Sequence, residues 1–146
     1  MDSSPIDRIA ARLAEAEASG ERFESNRDLV TPEDAAEIRA KFPGIPDDFI
    51  DYLKRIGAGS ILSCSYAIYS SPIRPEDVFA TRDPGWPDDL LVFGDNFSGD
   101  LGVFEPSSGW AVGELWHDDR SIIRSEKSFS EFIEDLIDDL TAESTQ

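Results

Sequence analysis

The sequence predicts an α+β domain in which helices pack on a mostly antiparallel β-sheet. Three observations support this fold class. Residues 90–116 contain three short apolar segments separated by turn-forming residues, as in consecutive antiparallel strands. Residues 128–140 form an amphipathic helical pattern with a capping sequence at its start. Three further helix starts precede the strands, and the 146-residue length favours a single domain.

The three central segments predict a β-meander. Residues 90–93 are a continuous apolar run bounded by Gly94 and Asp95. The next strand alternates, with Leu101 and Val103 on one face and Phe104 on the other. We expect Asp95 and Asp100 to accept backbone N–H bonds within the turn that joins these two strands, where Gly94 and Gly99 permit unusual backbone angles.

The closing helix is the clearest single element. Ser128 is the predicted N-cap, and Glu131 is placed to bond back to it. One face is apolar, and the acidic opposite face is predicted to be solvated. The apolar face consists of Phe129, Phe132, Ile133, Leu136, Ile137 and Leu140.

The other elements follow from caps, breakers and periodicity. In chain order they are a helix at residues 4–18, a polar connector at 21–30, helices beginning at 31 and 46, one or two strands at 61–69, a turn at 70–72, a helical turn at 74–79, a loop at 81–89 and a short strand at 121–124. We expect an N-terminal helix and connector (residues 1–30), an α+β domain (31–140) and a frayed tail (141–146).

The charge is strongly negative and unevenly distributed. The formal net charge is -18, and no lysine or arginine occurs between Asp83 and Asp119. Such a one-signed field opposes binding to nucleic acid or to an anionic membrane, and it suits either a basic protein partner or simple solubility. The carboxylates of this stretch are Asp83, Asp88, Asp89, Asp95, Asp100, Glu105, Glu114, Asp118 and Asp119.

The sequence indicates a cytoplasmic monomer, and it carries no cofactor signature. Cys64 is the single cysteine, so an intrachain disulfide is excluded. The first residues lack a basic region followed by an apolar run, and no segment reaches the ~20 apolar residues of a membrane span. We therefore expect a cytoplasmic protein without cofactors.

No catalytic or metal site is predicted. His117 is the single histidine and lacks triad partners at suitable spacing. Residues 95–100 superficially resemble a calcium loop, but Phe97 and Gly99 occupy positions that need oxygen ligands. A hydrolase with carboxylates at a metal is the alternative from a different class, and it would require acids with perturbed pKa values in a cleft.

Four segments, in this order and spacing, resemble the SUKH superfamily. They are residues 45–53 (IPDDFIDYL) with the small-residue break at 57–59, residues 99–104 (GDLGVF), residues 110–115 (WAVGEL) and residues 128–133 (SFSEFI). The likeness covers about residues 31–140. Ala58 departs from the pattern, because an asparagine before glycine is expected there.

The resemblance implies an α+β fold with helices on one side of the sheet. It also implies a non-enzymatic role, since many bacterial members are immunity proteins that bind and neutralise a cognate toxin, often a nuclease. Other members are regulatory or scaffolding proteins with an endogenous partner, and this is the alternative function. A basic toxin fits the acidic sheet, because opposite charges steer association.

We expect the partner-binding residues at the meander turns. The acidic candidates are Asp95, Asp100, Glu105, Asp118 and Asp119, and the aromatic candidates are Trp86, Phe97 and Trp110. A structural role is the alternative for Asp100 and for all three aromatic residues. For Trp86, which lies between turn-forming residues, a loop anchor inserted into the core is favoured over a binding platform.

Overall fold

The computed structural model describes residues 5–19, 27–61, 66–79 and 84–144 and confirms the α+β fold. One antiparallel sheet runs through seven strands in sequence order. The helices are α1 (Pro5–Ser19), α2 (Pro32–Lys41), α3 (Asp47–Arg55), α4 (Pro75–Phe79) and α5 (Phe129–Ser144). The strands are β1 (Arg27–Asp28), β2 (Ala58–Ile61), β3 (Tyr66–Ile73), β4 (Leu91–Asp95), β5 (Leu101–Glu105), β6 (Ala111–Leu115) and β7 (Ile122–Arg124).

Each face of the sheet is covered by a separate apolar cluster. Alternation along β4 and β5 sends Phe93 and Phe104 to one face and Val92 and Val103 to the other, as predicted for β5. The first face carries α1, α2, α3 and α5. The second face is covered by Trp86 and Leu90 of the segment before β4, together with Phe79 of α4. The sheet is therefore the central layer rather than an outer wall.

Aromatic rings join the helices to the sheet. Phe49 of α3 meets Phe104 at a centroid distance of 5.4 Å and Phe129 of α5 at 5.1 Å, both edge to face. Phe93 of β4 lies 5.3 Å from Phe129 in the same arrangement. Phe49, Phe93 and Phe104 are fully buried. Edge-to-face contacts add about 0.5–1.5 kcal/mol each beyond area burial, so this aromatic cluster fixes how α3 and α5 dock.

Two paired glycines make room for the aromatic cluster. Gly94 of β4 lies opposite Gly102 of β5. A Cβ at Gly102 would lie 2.5 Å from both Phe93 and the Tyr66 hydroxyl, and a Cβ at Gly94 would lie 2.3 Å from the carbonyl oxygen of Ala67. Gly94 is thus required by close packing and not by the unusual backbone angle that the sequence predicts there.

Helix α1 packs on the rest of the domain through apolar and charged contacts. Ile6, Ile9 and Leu13 are buried in the main cluster. Arg8 Nε lies 3.0 Å from Glu134 Oε1, and Arg12 pairs with Asp138, so part of the acidic face of α5 is paired rather than simply solvated. Exposed pairs contribute about 0–1 kcal/mol each, so the buried aliphatic residues contribute most of the docking energy.

Strand β1 lies inside the region predicted to be a connector. Arg27 pairs with Gly59 across the strands, and its guanidinium forms hydrogen bonds of 2.9 and 3.0 Å with Glu17 of α1. A Val30 N–H donates to the carbonyl of Leu53 at 2.9 Å just after this strand. This two-residue strand is stabilised by long-range contacts, and its polar sequence carries no strand pattern.

The turn predicted at residues 70–72 is wrong, because these residues belong to β3. The register shifts between Ile68, which pairs with Gly94, and Ile73, which pairs with Val92. Pro72 is buried within this irregular segment. A proline lacks the N–H of a regular ladder, and strand irregularities are where sheets tolerate it.

Other local predictions agree with the structure. The capping box is confirmed, since Ser128 N donates to Glu131 Oε1 at 3.0 Å and Glu131 N donates to Ser128 Oγ at 3.2 Å. The helical turn before residue 80 and the short strand after residue 121 are also present. The backbone of α5 continues to Ser144, past the predicted tail boundary. Cys64, the bend around it and most of the connector lie outside the described residues, and the predicted domain boundaries stay predictions.

We expect the substitution Phe49→Ala to lower the free energy of unfolding by about 3–5 kcal/mol, because it opens a cavity within the aromatic cluster. The matched substitution Phe97→Ala removes a ring that is 54% exposed, and it should cost less than about 1 kcal/mol. Urea unfolding of both variants measures the difference. If Phe49→Ala does not fold, Phe49→Leu should fold with a smaller loss. Equal losses for the two alanine variants would contradict the assigned role of the cluster.

Candidate protein-binding site at the turns of the meander

The β4–β5 turn is built from Asx-type hydrogen bonds. Asp95 Oδ1 accepts the N–H of Phe97 at 2.8 Å, and Asn96 Oδ1 accepts the N–H groups of Ser98 at 2.8 Å and Asp100 at 3.2 Å. Phe97 has a φ of 64°, which is uncommon for a large side chain. Its ring is 54% exposed. The turn therefore holds an aromatic side chain out toward solvent.

The β6–β7 turn has a similar construction. Asp119 Oδ1 accepts hydrogen bonds from the N–H of Ser121 at 3.0 Å and its hydroxyl at 2.7 Å. The N–H of Trp116 donates to the carbonyl of Ser121 at 3.0 Å and closes the turn. Arg120 adopts a left-handed φ of 59°. These bonds lower the pKa of Asp119, so its carboxylate is ionised at neutral pH.

Asp100 joins the two turns. Its Oδ1 accepts the backbone N–H of His117 at 3.0 Å and lies 2.7 Å from His117 Nδ1. Gly99 brings them together, since a Cβ there would lie 3.1 Å from the imidazole and its φ is 103°. The sequence predicts that Asp100 accepts a backbone N–H within its own turn. The backbone N–H that it accepts belongs instead to the neighbouring turn, while its Oδ2 accepts the Asn96 side-chain N–H at 3.3 Å. Asp95 does bond within its own turn, as expected.

The contact between Asp100 and His117 shifts the pKa values of both side chains. Partial desolvation acts to raise the pKa of Asp100, but hydrogen bonds from the His117 backbone, the His117 ring and Asn96 hold it below its ordinary value. The pKa of His117 is raised mainly by its bond to Asp100 and also by the charges of Asp118 and Asp100. His117 Nε2 lies 3.0 Å from Asp118 Oδ1. The imidazole ring thus lies between two carboxylates, one on each turn.

The second face of the sheet supports both turns from below. The buried Trp86 donates its Nε1–H to the carbonyl of Arg120 at 3.1 Å. The Arg120 guanidinium lies 5.2 Å from the ring centroid of Phe79, a cation–π contact between the β6–β7 turn and α4. Tyr69 donates its hydroxyl to Asp95 Oδ2 at 2.5 Å, and burial together with this bond raises the pKa of Tyr69.

The structure brings five of the predicted residues together at one end of the sheet. We call this set the acidic turn surface; it consists of Asp95, Phe97, Asp100, Asp118 and Asp119. Asp118 is well exposed, with 80% of its side chain accessible, compared with 29% for Asp100. Four carboxylates and one exposed ring form a surface that can attract and anchor a basic partner.

Three predicted residues lie elsewhere. Glu105 and Trp110 are at the opposite end of β5, and Glu105 is only 3% exposed. Arg124 Nε lies 2.8 Å from Glu105 Oε1, an ion pair whose geometry is not that of a hydrogen bond. Trp110 packs on Phe104 at a centroid distance of 5.6 Å. Trp86 is 5% exposed, in agreement with the favoured loop-anchor role.

Trp116 is a surface residue that sequence reasoning missed. It follows β6 directly, is 41% exposed, and donates its Nε1–H to Glu114 Oε2 at 3.0 Å. Its place at the end of a strand, beside the acidic residues 118 and 119, was the available signal. Simple alternation along residues 111–116 places it on the same face as Val112, which is buried, and so does not predict its exposure.

Two further properties of the described residues bear on the site. No group of three or more histidine, cysteine, aspartate or glutamate side chains in this part of the chain is arranged to hold a metal ion. Among the helices that the structure describes, none has the length and apolar character needed to cross a membrane.

Comparison with known proteins identifies one family. The family model described as SMI1 / KNR4 family (SUKH-1) matches residues 29–135, well over half of the chain. The matched range contains every residue of the acidic turn surface. No curated protein and no solved structure matches the chain.

We expect His117 to titrate with a pKa above its ordinary value of 6.5, because its bond to Asp100 favours the imidazolium. Since the chain has a single histidine, one NMR ring titration measures this directly. The substitution Asp100→Asn should return the pKa toward 6.5, whereas Glu37→Gln on α2 should leave it unchanged.

The pH dependence of the stability follows from the directions of the two pKa shifts. The raised pKa of His117 stabilises the fold below pH 6.5 and the effect is lost as pH rises through its folded-state value. The lowered pKa of Asp100 stabilises the fold above pH 3.8 and the effect is lost as pH falls through its folded-state value. The difference in melting temperature between the wild type and His117→Asn should therefore be largest between these pH values. A difference independent of pH would contradict this.

Proposed function

Because the chain belongs to the SMI1 / KNR4 family (SUKH-1), we propose that it is a non-enzymatic immunity protein that binds a cognate basic toxin and blocks it by occupying its active surface. A role as an immunity protein is one of the functions that membership of this family implies. Family membership supports a protein-binding role, and the acidic turn surface supports the choice of a basic partner.

The observation that carries the proposal is the joining of two turns into one surface. Asp95 and Asp100 from one turn meet Asp118 and Asp119 from the other through the contact between Asp100 and His117. Carboxylates that act from two separate turns converge on a single area, which strengthens the local field. Phe97 projects from the same area, and a half-exposed aromatic ring among charges is a typical anchor in a protein interface.

The geometry of the turns favours binding over catalysis. The acids accept hydrogen bonds from backbone N–H groups, from hydroxyls and from His117, so their oxygens are held in fixed positions. The pKa values of Asp100 and Asp119 are lowered, whereas a general acid needs a raised pKa. Fixed carboxylates suit the recognition of lysine and arginine side chains.

Occlusion follows from charge mimicry. A nuclease toxin must attract phosphate groups, so its active surface is basic. The acidic turn surface presents fixed anionic oxygens to that surface and competes with the nucleic acid for the same side chains. The net charge of -18 also accelerates encounter with a basic partner at low ionic strength. Inhibition in this scheme is stoichiometric and requires no turnover.

We expect co-expression with the polypeptide encoded immediately upstream to rescue growth and to yield a one-to-one complex. Rescue without a complex would contradict stoichiometric occlusion. If the neighbouring polypeptide is harmless and does not bind, the immunity function is rejected. Recovery of endogenous proteins by the chain would then support the regulatory or scaffolding alternative.

Charge removal at the turn should weaken the complex without unfolding the protein. The double variant Asp118→Lys, Asp119→Asn retains the Oδ1 acceptor for Ser121 while it removes both negative charges. We expect affinity to fall about tenfold or more at low salt, as judged by titration calorimetry. A matched control, Glu33→Lys with Glu37→Gln, changes the same net charge on exposed positions of α2. Equal losses for the two double variants would show that only net charge matters and would remove the turn from the interface.

A further inference from the structure

The free edge of the sheet lies beside the acidic turn surface. Strand β7 is the last strand of the sheet, and no described strand pairs with its outer edge. Trp116 N donates to Ser121 O, and Ser125 N donates to Val112 O. Hydrogen-bonded pairs alternate along an antiparallel ladder, so Ile123 bonds to β6 like its neighbours Ser121 and Ser125. The N–H and C=O groups of residues 122 and 124 therefore point away from β6, toward the outer edge. The edge thus offers two residues of main-chain donors and acceptors to an added strand.

An apolar groove runs along this edge. It lies between β7 and α5, has a volume of about 290 Å³, and is lined by Trp116, Ile123, Phe132 and Leu136. Ile123 is 46% exposed and Trp116 is 41% exposed. Two of the large apolar side chains that the described surface exposes therefore line one groove. Such a groove can receive alternate side chains of a strand added to β7.

The charges of the groove indicate which strand fits. Its acidic residues are Glu114, Asp135 and Asp139, and its basic residues are Arg124 and Lys127. Arg124 pairs with Glu105 outside the groove, and Lys127 pairs with Asp135 within it. Glu114 and Asp139 therefore leave a negative balance. A second copy of this chain, with its own charge of -18, fits such a groove poorly, whereas a segment with lysine or arginine fits well.

We propose that the partner adds an extended basic segment to the outer edge of β7, with its apolar side chains in the groove between β7 and α5. This inference rests on the proposed function and specifies the partner's binding mode. The acidic turn surface and the edge strand are continuous, since Asp118 and Asp119 precede β7 by a few residues in the same hairpin. Main-chain bonds supply affinity in strand addition, and the groove and the acids select the sequence of the added strand.

Amide hydrogen exchange tests the binding mode directly. The probe is a synthetic peptide of about seven alternating lysine and valine residues, a usual strand length, added to the full ¹⁵N-labelled chain. We expect the amides of Ile122 and Arg124 to exchange rapidly in the free protein and to become protected when the peptide binds. The amide of Ile123, which bonds to β6, should be protected in both states. A peptide of alternating glutamate and valine should not bind.

Two exposed aliphatic residues provide matched variants. Ile123→Lys places a positive charge in the groove and should weaken peptide binding about tenfold or more. Val78→Lys makes a similar change at a side chain that is 41% exposed on α4, at the second face of the sheet, and it should retain most of the wild-type affinity. Equal effects of the two substitutions would overturn the groove as the binding site.

The outcomes separate the binding mode from the function. If the co-expressed toxin is neutralised but residues 122 and 124 gain no protection in its complex, strand addition is overturned while the immunity function stands. If the lysine–valine peptide protects both amides but no toxin is neutralised, the immunity function fails while the edge remains a strand-binding site. Peptide attachment that perturbs only the turns, without protection of either amide, would overturn the strand addition.

Discussion

The contact of Phe49 with Phe104 and Phe129 is the interaction on which the rest of the structure depends. It fixes α3 and α5 against β5, the middle strand of the meander, and Phe93 brings β4 into the same cluster. Gly102 leaves the space that the neighbouring ring of Phe93 occupies over β5. A precise sheet position matters for function, because both turns of the acidic turn surface are extensions of these strands and their neighbours. The core therefore determines where the carboxylates lie.

The two turns depend on each other as well as on the sheet. Asp100 bonds to His117 across the gap between the hairpins, while Trp86 holds the backbone of Arg120 from the second face. Similar negative charges repel, so an assembly of four acids needs compensating contacts. The raised pKa of His117 reflects one such contact, in which the imidazole bonds to Asp100 and lies beside Asp118. The outcome is a surface that stays strongly negative and yet is well ordered by hydrogen bonds.

The sequence allowed prediction of the parts that local patterns determine. The meander, the capping box at Ser128 and the family resemblance all follow from short segments, and the structure and the family match confirm them. Strand β1 and the assignment of residues 70–72 to β3 depend on long-range pairing, which composition does not reveal. For the candidate site, sequence placed acids at the turns, but it could not show that Asp100 bonds to His117. Nor could it show the burial of Glu105, since a glutamate at a strand end is usually exposed.

The central claim is that one joined acidic surface captures a basic partner. Stopped-flow association of the chain with the toxin that it is proposed to neutralise, measured over a range of sodium chloride concentrations, tests this most directly. The account predicts that the association rate falls steeply as salt rises, that the dissociation rate changes little, and that removal of the charges at Asp118 and Asp119 flattens the salt dependence. An association rate that is independent of salt, with the same value in the variant, would contradict it.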